Sequence, residues 1–272
     1  MISLVNNRVT LFQSSLFQTT STVVELEVGI LIVDPTWLPH EIHLIQQHVE
    51  KVRGNKPIYL LFTHGDYDHI IGYRAFPGAI TIGSLLLHHH PRKEHKLNLI
   101  QEFDDTYYIK RNYEIAFPEL DIVIHEDGQK FRIGEEQLTF YKAPGHTEDG
   151  LFTVVESLGI LIAGDYLSDF ELPFIYDSTI AYEETLHKAR RILNQYEIQL
   201  LIPGHGKYTT ERPEMERRVG VSLSYIERLR EAVSSGDEVR LKALQEEHPF
   251  PSSTMEDNHK DNVRIVQRDL GL

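Results

Sequence analysis

The chain has 272 residues, is 41% hydrophobic and 25% charged, contains no cysteine, and carries a formal charge of −14 from 27 basic and 41 acidic residues. Such values suit a soluble globular protein able to bury a core without staples, and the lack of cysteine excludes disulfides, thiolate metal ligands and thiol nucleophiles. The acidic balance, with no cluster of Lys and Arg, argues against a phosphate backbone as partner, and no run approaches the ~20 apolar residues of a membrane span.

The N-terminus, Met1 to Arg8, lacks the charged start and apolar stretch of a signal peptide, so a cytoplasmic location is expected. Val9-Thr10-Leu11-Phe12, Thr22-Val23-Val24-Glu25-Leu26 and Ile30-Leu31-Ile32-Val33 read as strands of an opening antiparallel hairpin. Asp34-Pro35 after them reads as a turn. Ile42, Ile45, Val49 and Val52 recur at helical spacing over 39–52, and Gly54-Asn55 stops that helix. A strand follows at 58–62, a short helix is expected from Ile70, and another strand covers 79–82. Residues 84–120 look helical and aromatic-rich, with Phe103, Tyr107, Tyr108, Tyr113 and Phe117. They form an insertion that is either a lid over a pocket or a cap packed on the core. His88-His89-His90 within it is assigned to the surface or the lid.

Asp127-Gly128 between Ile122-Val123-Ile124 and Lys130-Phe131-Arg132-Ile133 signals a hairpin. Strands are expected at 137–142, 151–155, 160–163 and 200–202. A helix spans 181–195, with Leu186, Ala189, Ile192 and Leu193 on one face. Residues 211–233, 236–246 and 257–268 read as helices, with breaks at Ser235-Gly236 and Pro249-Phe250-Pro251.

Four of the apolar runs end in histidine or aspartate. The strand at 58–62 leads to His64, Asp66, Asp68 and His69. The strand at 137–142 leads through Pro144-Gly145 to His146. Ile160-Leu161-Ile162-Ala163 leads through Gly164 to Asp165, and Leu200-Leu201-Ile202 through Pro203-Gly204 to His205. Strand ends are where loops carry chemistry on a rigid scaffold. Four imidazoles and three carboxylates suffice for two metal ions, and imidazole with carboxylate suits zinc, iron or manganese.

Thr63-His64-Gly65-Asp66-Tyr67-Asp68-His69, Pro144-Gly145-His146-Thr147, Gly164-Asp165 and Gly204-His205-Gly206 together resemble the ordered motifs of the metallo-β-lactamase superfamily. The family pattern is His-x-His-x-Asp-His, then a lone His, a lone Asp and a lone His. The match spans residues 63 to 206, and with the opening hairpin the resemblance covers roughly the first 210 positions. Asp66 stands where the family usually has its second His.

The resemblance implies an α+β fold: a four-layer αββα sandwich over 1–210, with the 84–120 insertion and C-terminal helices 211–272 packed on the same domain, as in glyoxalase-II-like members. It implies that His64, Asp66 and His146 bind a first divalent ion, that Asp68, His69 and His205 bind a second, and that Asp165 bridges them. Zinc is the first expectation. Asp68 would also orient the attacking water. The implied activity is hydrolysis of an ester, thioester, lactone or phosphoester of a small molecule by a metal-bound hydroxide. The alternatives are a non-haem iron oxidoreductase, because redox-active iron-binding members also carry a carboxylate at this position, and a metal-binding domain without catalysis. A carboxylate at Asp66 also makes the first position more tolerant of iron or manganese relative to zinc.

Overall fold

β-Branched and apolar runs become twelve strands among the described residues, arranged in two sheets with eight helices. The computed structural model describes residues 2–247 and 252–272. The break expected at Pro249-Phe250-Pro251 lies outside them. The first sheet runs in sequence order, β1 (Ile2–Asn6), β2 (Val9–Gln13), β3 (Thr20–Glu25), β4 (Ile30–Val33), β5 (Ile58–Leu61), β6 (Ile80–Ser84) and β7 (Ile122–Ile124). The second contains β8 (Gln129–Ile133), β9 (Glu136–Lys142), β10 (Leu151–Val155), β11 (Ile160–Ile162) and β12 (Leu200–Ile202), in reverse order from β12 to β8. The α+β class read from the sequence is what is found. The chain divides into two compact units, Met1–Tyr141 with Thr153–Ser157, and Lys142–Phe152 with Leu158–Leu272.

In the first unit β1 to β4 form an antiparallel meander, and β4 to β7 continue in parallel. Parallel neighbours need a crossover. Helix α1 (Pro39–Arg53) supplies the one between β4 and β5. Its Ile42, Ile45 and Val49 are buried at helical spacing. The start of α1 is held by Glu41, whose carboxylate accepts the Leu38 N–H at 3.0 Å and the Ser14 hydroxyl at 2.8 Å. Trp37, Leu60, Phe62, Ile70, Phe76, Leu87, Ile100 and Phe117 fill the core around α1.

The insertion begins with α3 (Leu85–His88) and α4 (Lys93–Thr106). Helix α4 packs against α2 (Tyr67–Ile70). Phe103 and Tyr113 join the partly buried margin of the core, while Tyr107 and Tyr108 are exposed. His90 lies against Phe117 and His88 against His89.

One sequence expectation fails here. Asp127-Gly128 does not close a hairpin between β7 and β8. Strand β7 pairs in parallel with β6, and β8 pairs with β9 across Gly134-Glu135. The turn therefore hands the chain from one sheet to the other. A turn signal reports local backbone preference, whereas strand partners are chosen by burial.

In the second unit β11 and β12 are parallel, joined by α5 (Thr179–Gln195). The Ser178 hydroxyl caps α5 by accepting from the N–H groups of Ile180 and Ala181. Tyr182, Leu186, Ala189, Ile192 and Leu193 form its buried face. Helices α6 (Arg212–Ser235), α7 (Glu238–Glu246) and α8 (Ser253–Leu270) follow, and α5, α6 and α8 pack on one another. No helix among the described residues is long and apolar enough to cross a membrane.

Candidate metal centre

The parallel register sets Val33 of β4 beside Leu61 of β5, so the residues following both strands emerge at one sheet end. Asp34 and Thr63 meet there. Asp34 Oδ1 accepts the Thr63 N–H at 2.9 Å, and Asp34 Oδ2 accepts the Thr63 hydroxyl at 2.5 Å. The same Oδ2 lies 3.0 Å from His69 Nδ1. Thr63 Oγ1, its proton given to Asp34, accepts from His64 Nδ1 at 3.0 Å. Both imidazoles thus carry their proton on Nδ1 and present Nε2 as the lone-pair nitrogen, the usual arrangement of a metal-binding histidine. Asp34, Thr63, His64 and His69 are all buried.

The sequence reading gave Asp34 to a turn alone. Its carboxylate instead fixes two neighbours of the motif. The available signal was its position, an aspartate directly after an apolar strand like the other four runs. Its φ of 45° is a left-handed conformation that Asp tolerates better than most residues.

Helix α2 begins inside the motif rather than after it. The Asp66 carbonyl accepts from the N–H groups of His69 and Ile70, and this single turn brings the ligand types together. Asp66 Oδ2 lies 3.8 Å from His64 Nε2, and Asp68 Oδ2 lies 3.6 Å from His69 Nε2. The His64 and His69 rings are 4.2 Å apart between centroids. Tyr67, between the two aspartates, points away onto Trp37. Burial, reinforced by the charges of Asp68 and Asp66, holds the Tyr67 phenol well above its usual range, so it remains protonated.

Asp66 has a partner that no motif announced: its Oδ1 is ion-paired with the ammonium of Lys96 on α4. Lys96, Ile100 and Asp104 are the buried positions of α4 and share one stripe at spacing of four.

The second unit builds a three-residue constellation. Parallel pairing of β11 with β12 brings Gly164-Asp165 and Gly204-His205 out at the same end, with the Gly204 N–H donating to the Gly164 carbonyl at 2.5 Å. Asp165 Oδ2 lies 3.2 Å from His146 Nε2 and 3.3 Å from His205 Nε2. His146 donates from Nδ1 to the Phe174 carbonyl at 2.7 Å, which directs its Nε2 to this cluster. Two glycines make the packing possible. A Cβ on Gly204 would overlap Asp165 Oδ1, and a Cβ on Gly145, whose φ is +122°, would overlap the Tyr182 backbone.

The loop carrying Phe174 is held by α8. Asn262 Nδ2 donates to the Pro173 carbonyl at 2.6 Å, and Asn262 Oδ1 accepts the Ile175 N–H at 3.1 Å. Asn258 adds a bond to the Pro173 carbonyl at 3.2 Å. Asn262 also donates to the Tyr225 hydroxyl, which lies 3.0 Å from His259 Nδ1. Burial pushes the His259 pKa down and the Tyr225 pKa up, so the pair is neutral, with tyrosine as donor.

All seven residues expected as ligands therefore lie at strand ends or on α2. His64, Asp66, Asp68 and His69 are brought together in the first unit, and His146, Asp165 and His205 in the second. Buried imidazoles whose Nδ1 atoms are committed to a hydroxyl, a carboxylate and a carbonyl, set beside carboxylates, make a donor set that fits a divalent cation.

The pattern of the Metallo-beta-lactamase superfamily matches residues 15–205. A type 2 metallo-beta-lactamase of Bacillus sp. (strain 170) is 25% identical over 199 residues, covering 72% of this chain and 70% of that one. Among solved structures, a metallo-beta-lactamase from Pontibacter korlensis superposes with a TM-score of 0.59 at 16% identity, over 84% of this chain and 98% of that one. A metallo-beta-lactamase family protein from Thermus thermophilus gives 0.68 at 15% identity, over 98% and 95%. The stereoselective inverting sec-alkylsulfatase from Pseudomonas sp. gives 0.74 at 12% identity, with all of this chain matching 50% of that longer one. At these identities the structural likenesses bear on the fold alone.

Proposed function

Because the chain belongs to the metallo-beta-lactamase superfamily, we propose that it is a metal-dependent hydrolase cleaving an ester, thioester, lactone or phosphoester of a small molecule. The observation that carries this reading is Asp165 Oδ2 lying 3.2 Å from His146 Nε2 and 3.3 Å from His205 Nε2, with His146 oriented from behind by the Phe174 carbonyl. A buried carboxylate set between two imidazoles is favourable when a cation joins them.

In this reading His64, Asp66 and His146 hold a first ion, Asp68, His69 and His205 hold a second, and Asp165 is shared. Zinc is the first expectation, with iron or manganese as alternatives at the position that includes Asp66. A divalent cation held there supplies Lewis acidity and lowers the pKa of water toward neutrality. Asp68 orients the attacking water by accepting its hydrogen bond. Asp34 and Thr63 keep His64 and His69 in the tautomer that presents Nε2. The insertion 84–120 shapes the substrate pocket. The helices 211–272 belong to the same domain as the site, a role supported by the Asn262 bonds to the loop that orients His146. The substrate is a small molecule handled in the cytoplasm, and no nucleic acid or membrane is involved.

The test is purification without added metal, followed by metal analysis and a panel of ester, thioester, lactone and phosphodiester substrates. Bound divalent metal and hydrolysis of at least one class, abolished by chelation and restored by metal, is the expected result. Absence of both metal and hydrolysis would refute the reading. Substrate-dependent oxygen consumption by iron-loaded protein without hydrolysis would transfer it to an oxidoreductase.

A further inference from the structure

The Lys96 ammonium is held at Asp66 by a rigid mount. Arg111 clamps α4 through Asp104, with Nε to Oδ2 at 2.7 Å and Nη2 to Oδ1 at 2.8 Å, while its Nη1 donates to the Trp37 carbonyl at 2.8 Å. The Lys96 and Asp66 side chains are 10% and 11% exposed, so withdrawing the ammonium from its carboxylate would leave two poorly solvated charges. The pairing divides Asp66 between its oxygens. Oδ1 meets Lys96, and Oδ2 faces His64 at 3.8 Å.

We propose that Lys96 tunes the metal centre: by sharing Asp66 with any ion at the first position, it makes that position the weaker of the two, so one ion is held firmly and the other exchanges. The inference rests on the metal-centre reading and adds a hierarchy to it. Asp66 with Lys96 is a neutral unit, as the family's histidine is, but it offers one oxygen of a carboxylate whose charge is already compensated. The ammonium also repels a divalent cation placed at Oδ2. The second position has the opposite backing in the first unit: His69 is supported by the Asp34 carboxylate and stands beside Asp68, so negative charge adds to its pull on a cation.

Stepwise zinc titration of the metal-stripped protein against a chelating indicator tests this directly. Two steps separated by about 100-fold or more in affinity are expected, the tighter one lost in His69→Ala. Lys96→Met should tighten only the weaker step, by about tenfold or more. Two equal steps in the wild type, or an unchanged weak step in a folded Lys96→Met protein, would overturn the role of Lys96 while leaving the metal centre intact. No zinc binding at all would overturn the metal centre itself. Circular dichroism establishes folding, and Lys96→Gln replaces the methionine variant if that one does not fold. The wild-type titration decides between equal and unequal positions without either variant.

Discussion

Lys96 and Asp66 form a buried ion pair between the helical insertion and the motif turn, thirty residues apart in the chain. The pair alters how the departure at Asp66 should be understood. Taken alone, a carboxylate in place of imidazole adds a negative charge and favours harder ions. With Lys96 attached the added charge is cancelled, and restoring the histidine would leave a buried ammonium beside it.

Asp66→His should therefore destabilise the protein by about 3–5 kcal/mol, as expected when one member of a buried pair is removed. It should not by itself raise zinc retention. The double variant Asp66→His with Lys96→Met should recover most of the stability and bind zinc more tightly than either single variant. Urea denaturation and metal analysis measure the two effects. Full stability of Asp66→His alone would show that the pair contributes nothing.

Asp68→Ala should lower kcat on a confirmed substrate by at least about 10²-fold while the far-ultraviolet spectrum and melting temperature stay close to wild type. The motivation is its place on α2, with Oδ2 3.6 Å from His69 Nε2, where its carboxylate faces another expected ligand. A near-wild-type rate would remove Asp68 from the mechanism.

Gly204→Ala is predicted to displace the Asp165 carboxylate, because the added Cβ would lie only 2.2 Å from its Oδ1. Metal retention after dialysis should fall by about tenfold or more, as for lost support of a ligand. Metal content equal to wild type would mean that Asp165 moves without consequence.

Asn262→Leu removes a residue that touches no expected ligand. It leaves the Ile175 N–H without its side-chain partner and the Pro173 carbonyl with Asn258 alone. A stability loss of about 1–3 kcal/mol is expected. Because the same loop presents Phe174 to His146, metal affinity should also drop by about 10- to 100-fold. Loss of stability with unchanged metal affinity would make Asn262 a helix-packing residue only.

His259 predicts a pH dependence. Burial lowers its pKa in the folded state, so folding favours the neutral ring. Its contribution is complete above the unfolded value, about 6.5. It is lost as pH falls from there toward the lower folded value. Melting temperature should decline over this window by more in wild type than in His259→Gln, whose side chain can still accept from Tyr225. Parallel profiles would assign the decline to other groups.

Much of this was legible in the sequence because it rests on local rules. Ile42, Ile45 and Val49 mark the buried face of α1, and Leu186, Ala189, Ile192 and Leu193 mark that of α5, since helical period and burial coincide. The expected ligands follow apolar strands because loops at strand ends carry chemistry on a rigid scaffold. The short helix expected from Ile70 instead begins at Tyr67, a shift of one turn within a segment too short for periodicity to locate.

What the chain alone determined was the kind of elements, their order and the chemical types standing at their ends. The tertiary structure decided which distant groups meet. Nothing in the sequence around Lys96 distinguishes it from a solvated helix lysine, and only the packing of α4 on α2 turns it toward Asp66. Nothing in the sequence near Asn262 relates it to His146, which it reaches through Pro173, Phe174 and Ile175. Asp127-Gly128 has the local preference of a hairpin, yet the pairing of β7 with β6 and of β8 with β9 separates its flanking strands. Turn and helix preferences are set by neighbours in sequence, whereas ion-pair partners and strand pairing are set by which surfaces are buried together, and that depends on the whole fold.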